Sequence, residues 1–429
     1  MPSSRVIIIG AGLAGLRCAV DLVAAGCDVT VLEARDRVGG RVWTHRFANG
    51  QWCERGAEFV DTAHSEVLAL VRHAGLGLCD VSGGRSDTDR LLDLGGRQVP
   101  FGLHHSLGPD LGRWHEMLGE LASRVDPADP TGGADAVDLD GSPLSALLAG
   151  ADLSTIARVV IGREVRTEFM LGPQEISQLM AGWMTALHRR SGSGCEAYRV
   201  AGGNDQLATV LAEQLGSRVV LGTPVVWVEP DTGAVVLDTG ERLQADHLVA
   251  AVPLPVLGRL WSDMPSALAA VSYGIGGKMS VQVGRRIWHD HGRDGSVLSE
   301  RAWGDVWETS QGQDGDTGVL TALLSSHDGA AMVAIPGVAD RVVGDIDRIF
   351  PGVGALAGER VVTDWTNDPY SLGAYACFGP GQLVPAWPLI RRRYGRMLLA
   401  GEHTDEWAGF MEGALRSGAR VARDIARLT

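Results

Sequence analysis

The chain has 429 residues, 45% of them hydrophobic, and a formal net charge of −14. This length suffices for two domains or for one large interrupted domain. The negative charge argues against nucleic acid or an anionic membrane as a partner, because both call for a basic surface, and it is compatible with a cationic substrate. No stretch reaches the roughly 18 apolar residues that a membrane-spanning helix needs.

The six cysteines are scattered without a CxxC pair, and the twelve histidines show no metal-ligand spacing. This pattern favours free thiols in a reducing compartment over a disulfide framework or a zinc site. We therefore expect a cytoplasmic protein without a metal ion. The sequence leaves a homodimer open.

The first 33 residues follow the order strand, glycine turn, helix, strand and acid. A β-branched run at 5–9 leads into Gly10, Gly12 and Gly15, and a second strand ends at Glu33. In a dinucleotide site the first glycine permits the tight turn, the second lets the backbone approach a pyrophosphate, and the third lets the helix lie close to the strands. The helix N-terminus attracts the phosphates, and the acid accepts hydrogen bonds from ribose hydroxyls. A glycine-rich turn without a ligand is the alternative.

The residues after Glu33 distinguish between dinucleotides. The stretch 34–41 contains three arginines and the pair Gly39-Gly40. Two further glycines let the backbone approach a ligand, and an arginine can pair with a pyrophosphate from its second side. This extension favours FAD over NAD, and the acid disfavours NADP.

Further elements follow from periodicity and turn residues along the chain. An amphipathic helix is predicted over 64–75, then polar hairpins over 76–97 with turns at Gly83-Gly84 and Gly95-Gly96. Further helices are predicted over 109–124, most of 142–190, residues up to 215, 339–350 and 413–428. Short strands are predicted over 218–221, 225–228, 234–237, 242–243, 246–253, 278–283, 319–324, 360–365 and near 395–402.

Pieces typical of a dinucleotide domain thus occur at the start, the middle and the end of the chain. The predicted fold class is α/β, with a Rossmann-like FAD-binding domain interrupted by a mixed α+β substrate domain, as in glutathione-reductase-like two-domain flavoproteins. The FAD-binding domain is predicted to comprise 1–75, 196–262 and 393–429. The substrate domain is predicted to comprise 76–195 and 263–392.

Lys278 is the only lysine among 38 basic residues, so the other 37 are arginines. Lysine is a compact ammonium, whereas arginine is planar, bulky and permanently charged. The position has therefore resisted replacement by arginine, which indicates a buried lysine with a chemical role. Chance survival at a neutral position is the alternative.

Eight motifs are spread over nearly the whole chain. In chain order they are LEARDRVGGR (32–41), GAEFVD (56–61), YRVAGGNDQLA (198–208), LVAAVP (248–253), GGK (276–278), WTNDPYSLGAY (365–375), LLAGEHT (398–404) and WAGFMEGALRSGARVA (407–422). Together they resemble the flavin-containing amine oxidase family, which includes monoamine, polyamine and L-amino-acid oxidases. The last motif is especially similar to monoamine oxidases.

The resemblance implies that FAD is the cofactor. It places the following residues around the dinucleotide, the ribityl chain and the flavin ring: Gly10, Gly12, Ala14, Gly15, Glu33, Ala34, Arg35, Gly39, Gly40, Arg41, Val225, Gly401, Glu402 and Met411. Many monoamine oxidases attach the flavin through a cysteine, and that position is Ala374 here, with Cys377 out of register. Non-covalent FAD is therefore expected.

The resemblance also implies the chemistry. A hydride equivalent passes from the α-carbon of a primary or secondary amine to flavin N5, and dioxygen then takes the electrons and gives hydrogen peroxide. Lys278 matches the lysine that holds a water against N5, and Tyr375 and Phe410 match the two aromatic residues that flank the amine, of which Phe410 is a tyrosine in monoamine oxidases. Trp365 and Trp407 are expected around the ring and this aromatic pair, with core packing as the alternative for each.

Glu58 and Asp61 lie where polyamine oxidases place carboxylates that guide a cationic substrate, and N-capping of the following helix is the alternative for Asp61. Amino-acid oxidases usually have an arginine at the position of Phe59, in a GAMR motif. Glu58 and Phe59 in its GAEF counterpart favour an amine over an amino acid. An L-amino-acid oxidase, a biosynthetic desaturase-like oxidase and a non-catalytic flavoprotein remain as alternatives.

Overall fold

The computed structural model describes residues 3–81, 90–103 and 107–428. Its strands are β1 Arg5–Ile9, β2 Asp28–Leu32, β3 Thr44–Arg46, β4 Trp52–Glu54, β5 Leu78–Asp80, β6 Leu91–Leu94, β7 Arg97–Pro100, β8 Tyr198–Val200, β9 Val219–Val220, β10 Val225–Glu229, β11 Ala234–Leu237, β12 Arg242–Gln244, β13 His247–Ala250, β14 Gly276–Val283, β15 Val297–Ser299, β16 Asp305–Glu308, β17 Gly318–Ser325, β18 Ala357–Asp364 and β19 Met397–Leu399.

The helices are α1 Leu13–Ala24, α2 Ser65–His73, α3 Leu107–Ser123, α4 Ala136–Gly141, α5 Leu144–Gly150, α6 Thr155–Phe169, α7 Gln178–Ser191, α8 Gln206–Leu215, α9 Leu254–Leu260, α10 Ser266–Ala269, α11 Ile287–Asp290, α12 Ser326–Val333, α13 Val338–Ile349, α14 Val353–Leu356, α15 Leu383–Ile390 and α16 Met411–Ala426. In the described part of the chain, no helix is long and apolar enough to cross a membrane.

A five-stranded parallel sheet has the order β19-β13-β1-β2-β9. Its central strand β1 is β-branched and is buried from Val6 to Ile9, as a strand covered on both faces requires. Each such buried side chain contributes about 1.5–3 kcal/mol to folding. The five strands come from three separate parts of the sequence, so the chain leaves this sheet and returns to it twice.

Helices α1 and α16 cross closely over this sheet. A Cβ atom at Gly418 would lie only 2.3 Å from the carbonyl oxygen of Ala14, so glycine is what permits the close approach. Both helices begin at the same side of the sheet, after Gly12 and Phe410. The crossing therefore brings two helix N-termini to one edge of the sheet.

A seven-stranded mixed sheet has the order β18-β14-β17-β16-β15-β6-β7. Strand β14 runs antiparallel to β17 and β18, and Lys278 lies opposite Leu323 and Thr363 in the two neighbouring strands. At Gly276 and Gly277 a Cβ would come within 2 Å of carbonyl oxygens of these neighbours. The glycine pair thus lets the three strands pack closely just before the lysine.

The two-domain α/β fold is confirmed, and most predicted elements are present with shifted ends. Helix α16 begins at Met411 instead of Gly413, and β14 begins at Gly276 instead of Lys278. The hairpin turn at Gly95-Gly96 is confirmed by the pairing of β6 with β7, whereas Gly83-Gly84 lies outside the described residues. The pairing of β5 with β8 was not predicted, because strands of three residues have too little periodicity to detect. The proposed domain boundaries stay a prediction.

Candidate active site

A cavity of about 1130 Å³ extends from the edge of the five-stranded sheet to the face of the seven-stranded sheet. One end, the dinucleotide end, is bordered by the turn after β1, the end of β2 and Val225. The other end, the substrate end, is bordered by β14, β16, β17, α6 and α7. All predicted cofactor residues except Gly15 line this cavity, as do all predicted catalytic residues.

The glycine turn fits an elongated ligand that lies close to the backbone. Gly10 has φ +101°, and a Cβ there would lie 2.8 Å from the carbonyl oxygen of Ala251. Gly12 lines the cavity, and a Cβ there would meet no atom within 4 Å, so the space beside it is open. Gly15 lies behind the turn, where a Cβ would come 2.1 Å from the carbonyl oxygen of Gly10. The three glycines thus serve the turn, the open groove and the helix packing.

The carboxylate of Glu33 is held in a fixed orientation at the dinucleotide end. One oxygen accepts a hydrogen bond from the backbone N–H of Ala11 at 2.8 Å, and the other accepts one from the backbone N–H of Arg35 at 2.9 Å. Each oxygen keeps a further lone pair for a ribose hydroxyl. The guanidinium of Arg35 pairs with Asp368 and Ser371, so it fastens the loop that carries these residues to the end of β2.

Arg41 and Glu402 link three distant segments in the middle of the cavity. Arg41 Nη1 donates to Glu402 Oε1 at 2.9 Å and to the carbonyl oxygen of Ala374 at 2.8 Å. Burial raises the pKa of Glu402, but the charge of Arg41 acts together with hydrogen bonds from Arg41 and from the backbone N–H of Gly409 and holds the pKa below its usual value. Glu402 also accepts hydrogen bonds from the backbone N–H groups of Ala376 and Gly409, at 3.2 and 2.8 Å. Ala376 and Gly409 are the chain neighbours of Tyr375 and Phe410, so Glu402 fixes the backbone beside both members of the predicted aromatic pair.

The aromatic pair borders the cavity on two sides of this carboxylate. The Tyr375 hydroxyl donates to the carbonyl oxygen of Glu168 at 2.7 Å, and burial raises the pKa of Tyr375 well above its usual value. Phe410 packs edge to face against Trp407, with ring centroids 5.6 Å apart. Trp407 itself is buried behind Phe410 and does not line the cavity, so its position fits the core-packing alternative.

Trp365 lines the cavity near Lys278 and is almost fully buried. Its Nε1 donates to the carbonyl oxygen of Arg55 at 2.9 Å, and a Cβ at Gly56 would touch its ring at 3.0 Å. The indole is therefore locked in place between the loop after β4 and the end of β18. Such a fixed ring can form a wall of the cofactor site.

Lys278 reaches into the cavity from β14 and is paired. Its Nζ donates to Glu58 Oε2 at 2.7 Å and to the carbonyl oxygen of Gly56 at 2.9 Å. The other oxygen of Glu58 accepts from Trp307 Nε1 at 2.9 Å and lies 3.5 Å from Arg199 Nη1. Burial raises the pKa of Glu58, but the charges of Lys278 and Arg199 hold it below its usual value.

The alternative role of Asp61, as N-cap of the following helix, is wrong. Its oxygens accept hydrogen bonds from the Ser191 hydroxyl at 2.9 Å and from the backbone N–H of Glu196 at 2.8 Å. The first N–H groups of α2, at Glu66 and the next residue, bond instead to the Glu412 carboxylate. The cap therefore comes from α16, far along the chain, and Asp61 remains buried in the cavity wall.

Phe59 and Asp61 line the substrate end as predicted, whereas several other lining residues were not singled out from the sequence. The walls of this end are largely apolar, formed by Phe59, Phe169, Met170, Met180, Met184, Trp307 and Leu323. Met170 just after α6 and the methionines of α7 cannot be told from core residues by spacing alone. Carboxylates border the same end, namely Asp61, Glu164, Glu168 and Glu196.

Residues 13–426, almost the whole chain, match the family of flavin-containing amine oxidoreductases. The chain belongs to this family. This match confirms the resemblance noted above and, with it, FAD as the cofactor of an oxidoreductase that acts on amines.

Relatives in the amine oxidoreductase family cover nearly the full chain at low identity. The L-amino acid dehydrogenase of Synechocystis sp. is 26% identical and spans 99% of this chain and 95% of its own length. Amine oxidase B of Cavia porcellus is 25% identical and spans 98% of this chain and 85% of its own length. The cyclohexylamine oxidase structure from Brevibacterium oxydans has a TM-score of 0.88 at 25% identity, with 100% and 99% of the two chains covered. A putrescine oxidase variant redesigned in cofactor binding gives the same TM-score, identity and coverage.

The site fits the family's cofactor on its own geometry. The open groove beside Gly12, the fixed carboxylate of Glu33 and the first turns of α1 and α16 together match the phosphates, ribose and ring of a flavin dinucleotide. Cys377 is fully buried, bonds to the carbonyl oxygen of Phe169 and does not line the cavity, whereas Ala374 does.

Proposed function

We propose that this protein is an amine oxidase that converts a primary or secondary amine to an imine, with dioxygen as the final electron acceptor. The imine then hydrolyses to an aldehyde or ketone and an amine, or ammonia from a primary substrate. The observation that carries the proposal is the substrate end of the cavity. There, an aromatic pair and apolar walls adjoin carboxylates, and Lys278 adjoins the predicted ring site.

FAD, when bound, accepts a hydride equivalent from the α-carbon and passes two electrons on to dioxygen, which becomes hydrogen peroxide. The chain supplies orientation and environment. Tyr375 and Phe410 both line the cavity, and in this proposal their rings orient the amine with its α-carbon toward the predicted ring site. Apolar walls favour the neutral amine, whose lone pair the oxidation requires, and they exclude water.

The charges at the substrate end favour an amine over an α-amino acid. Among the described residues that line this end, those with basic side chains are Lys278, His188 and Arg90, and each lies beside a carboxylate. The distances are 2.7 Å from Lys278 to Glu58, 3.6 Å from His188 to Glu168 and 3.2 Å from Arg90 to Asp305. A substrate carboxylate would thus compete with carboxylates of the protein. The Synechocystis relative named an L-amino acid dehydrogenase supports the alternative, an amino acid as the substrate.

Anaerobic bleaching of the flavin tests the proposal. The purified holoenzyme is mixed without oxygen with monoamines, diamines and L-amino acids, and its visible absorption is followed. We expect an apolar monoamine or diamine to bleach the flavin and oxygen to restore it with release of hydrogen peroxide. Bleaching by amino acids alone would replace the proposed substrate class, and restoration only by a dye would replace dioxygen as the acceptor. A flavin that nothing bleaches would indicate a non-catalytic flavoprotein.

Acid precipitation tests the non-covalent attachment, which we propose from Ala374 and from the burial of Cys377. All yellow colour is expected in the supernatant, because no thiol of the described structure lies at the family's attachment position. Colour that stays in the pellet would contradict this proposal. A matched variant, Ala374→Cys, provides a positive control for a thiol at that position.

A further inference from the structure

The buried carboxylate of Glu58 is positioned to act on Lys278 and not on a substrate. It is 5% exposed, and both of its oxygens already have donors: Lys278 on one, Trp307 and Arg199 on the other. A carboxylate with three partners of this kind has little remaining capacity to bind a substrate ammonium. This placement differs from the substrate-guiding role that the sequence suggested for Glu58.

We propose that Glu58 is a positioning residue that keeps Lys278 charged and oriented against the flavin ring. The inference rests on the proposed function, because it requires a flavin bound beside β14. Lys278 directs two of its three N–H groups at Glu58 and at the carbonyl oxygen of Gly56. The remaining N–H is left for the ring or for a water beside it.

The local charge balance explains why a carboxylate is needed there. Arg199 is 2% exposed, and its Nη1 lies 3.5 Å from the same carboxylate, so two cations share one buried anion. Without Glu58 these cations would face each other in a poorly solvated region, which favours loss of the lysine proton. With Glu58 the group carries one net positive charge, which stabilises negative charge on a reduced ring.

Other titratable groups face this ion pair from neighbouring elements. Cys53 and Glu54 on β4 lie close enough to interact with Lys278 and Glu58, respectively. Burial raises the pKa of Cys53 to about 12 and that of Glu54 to about 8. Both groups are therefore largely neutral near pH 7, and Glu58 is the anion that balances the two cations.

The midpoint potential of the bound flavin, measured from pH 6 to 9, tests the proposal without relying on turnover. Glu58→Gln is expected to raise the potential at the acidic end, because a negative charge is lost while both cations remain. As pH rises, the lysine of this variant loses its proton, so the curve gains an inflection in addition to any that Glu54 contributes near pH 8 in both proteins. The double variant Glu58→Gln/Lys278→Met is expected to lose this inflection.

Two further variants complete the test. Glu54→Gln, at a buried acid on β4 four residues away, is the matched control: it should remove only the contribution of Glu54 near pH 8 and add no inflection. Lys278→Met alone should lower the potential over the whole pH range, which keeps the test decisive if Glu58→Gln does not fold. The proposal is overturned if Glu58→Gln shows no added inflection, if the added inflection persists without Lys278, or if Lys278→Met leaves the potential unchanged.

Failure of this inference can be told from failure of the proposed function. Flavin content and amine-dependent bleaching are first recorded on the wild-type holoenzyme. Normal bleaching combined with an overturning result contradicts only the role of Glu58. A wild-type flavin that no amine bleaches contradicts the proposed function as well.

Discussion

Lys278 is the residue whose replacement most directly tests the predicted chemistry. Its ammonium lies in the cavity, 11% exposed and fixed by two acceptors. Lys278→Met removes the charge and the remaining N–H with little change of length. We expect the reduction or the reoxidation of the flavin to slow by about 10²-fold, within the usual range for loss of a proton-transferring group. Stopped-flow absorbance measures the two half-reactions separately.

The control for Lys278→Met is the retained flavin spectrum, which shows that the cofactor is still bound. Unchanged rates of both half-reactions would remove Lys278 from the mechanism. Equal slowing together with loss of flavin would indicate a structural role only.

Glu54 gives a prediction about stability and pH. It is fully buried and accepts hydrogen bonds from Thr44 and from the backbone N–H of Asn204, yet burial raises its pKa to about 8. In the unfolded chain it ionises near its ordinary value of 4.5. Between these values the folded state binds the extra proton, so the free energy of unfolding falls as pH rises, by up to roughly 1.4 kcal/mol per pH unit.

The variant Glu54→Gln should flatten this dependence, because the amide stays neutral in both states. Urea unfolding at several pH values between 5 and 8 measures the difference between variant and wild type. The difference should shift in favour of the variant as pH rises. A constant difference across the range would contradict a buried, protonated Glu54.

At the scale of elements, the α1–α16 crossing determines where two helix N-termini meet the cavity. Gly418→Ala would place a methyl group 2.3 Å from the carbonyl oxygen of Ala14. Overpacking of this kind costs about 1–3 kcal/mol. We expect weaker FAD retention and a lower free energy of unfolding, measured by flavin fluorescence and urea titration. The first turn of α1 must shift if the helices separate.

Gly344→Ala is the matched control for this prediction. Gly344 is exposed within α13, and a Cβ there would meet no atom within 4 Å. Alanine should therefore stabilise this helix by about 0.5–1 kcal/mol. Similar effects of the two substitutions would show that the α1–α16 crossing is not tight.

Elements were predictable where their signals are local. β-branched runs and glycines within about thirty residues predict β1, the turn after it, α1 and β2. The structure has these elements in the expected order. The cap of α2 was not predictable, because its donors and its acceptor are about 345 residues apart. The same holds for the pairing of β5 with β8 across the helical insertion.

At the scale of the whole molecule, the charge of −14 and the carboxylates at the substrate end act together on a cationic amine. Salt screens such attraction over a Debye length of about 10 Å at 0.1 M. We expect kcat/KM for an amine to fall as sodium chloride is added, whereas kcat changes little. Binding of an uncharged competitive inhibitor should be insensitive to salt. A kcat/KM that is constant in salt would exclude long-range attraction as a factor.

The sequence by itself determined the cofactor class and a predicted position for its adenine-side anchor. Gly10, Gly12 and Glu33 act through backbone shape and through a carboxylate close along the chain, so their pattern is readable without the fold. Lys278 stood out because no other lysine occurs. These features depend on local geometry or on composition, and both can be read from the sequence without the fold.

Only the tertiary structure decided which partners the charged residues of the candidate active site have. Glu58 and Lys278 are 220 residues apart in the chain and 2.7 Å apart in space, and Asp61 turned out to bond Ser191 and Glu196 instead of capping α2. A carboxylate takes its role from the donors that the fold brings to it, and neither spacing nor periodicity contains that information. The opening glycine turn lines the end of the cavity predicted to hold the dinucleotide, and the long-range pairing of Glu58 with Lys278 lies at the far end of the same cavity.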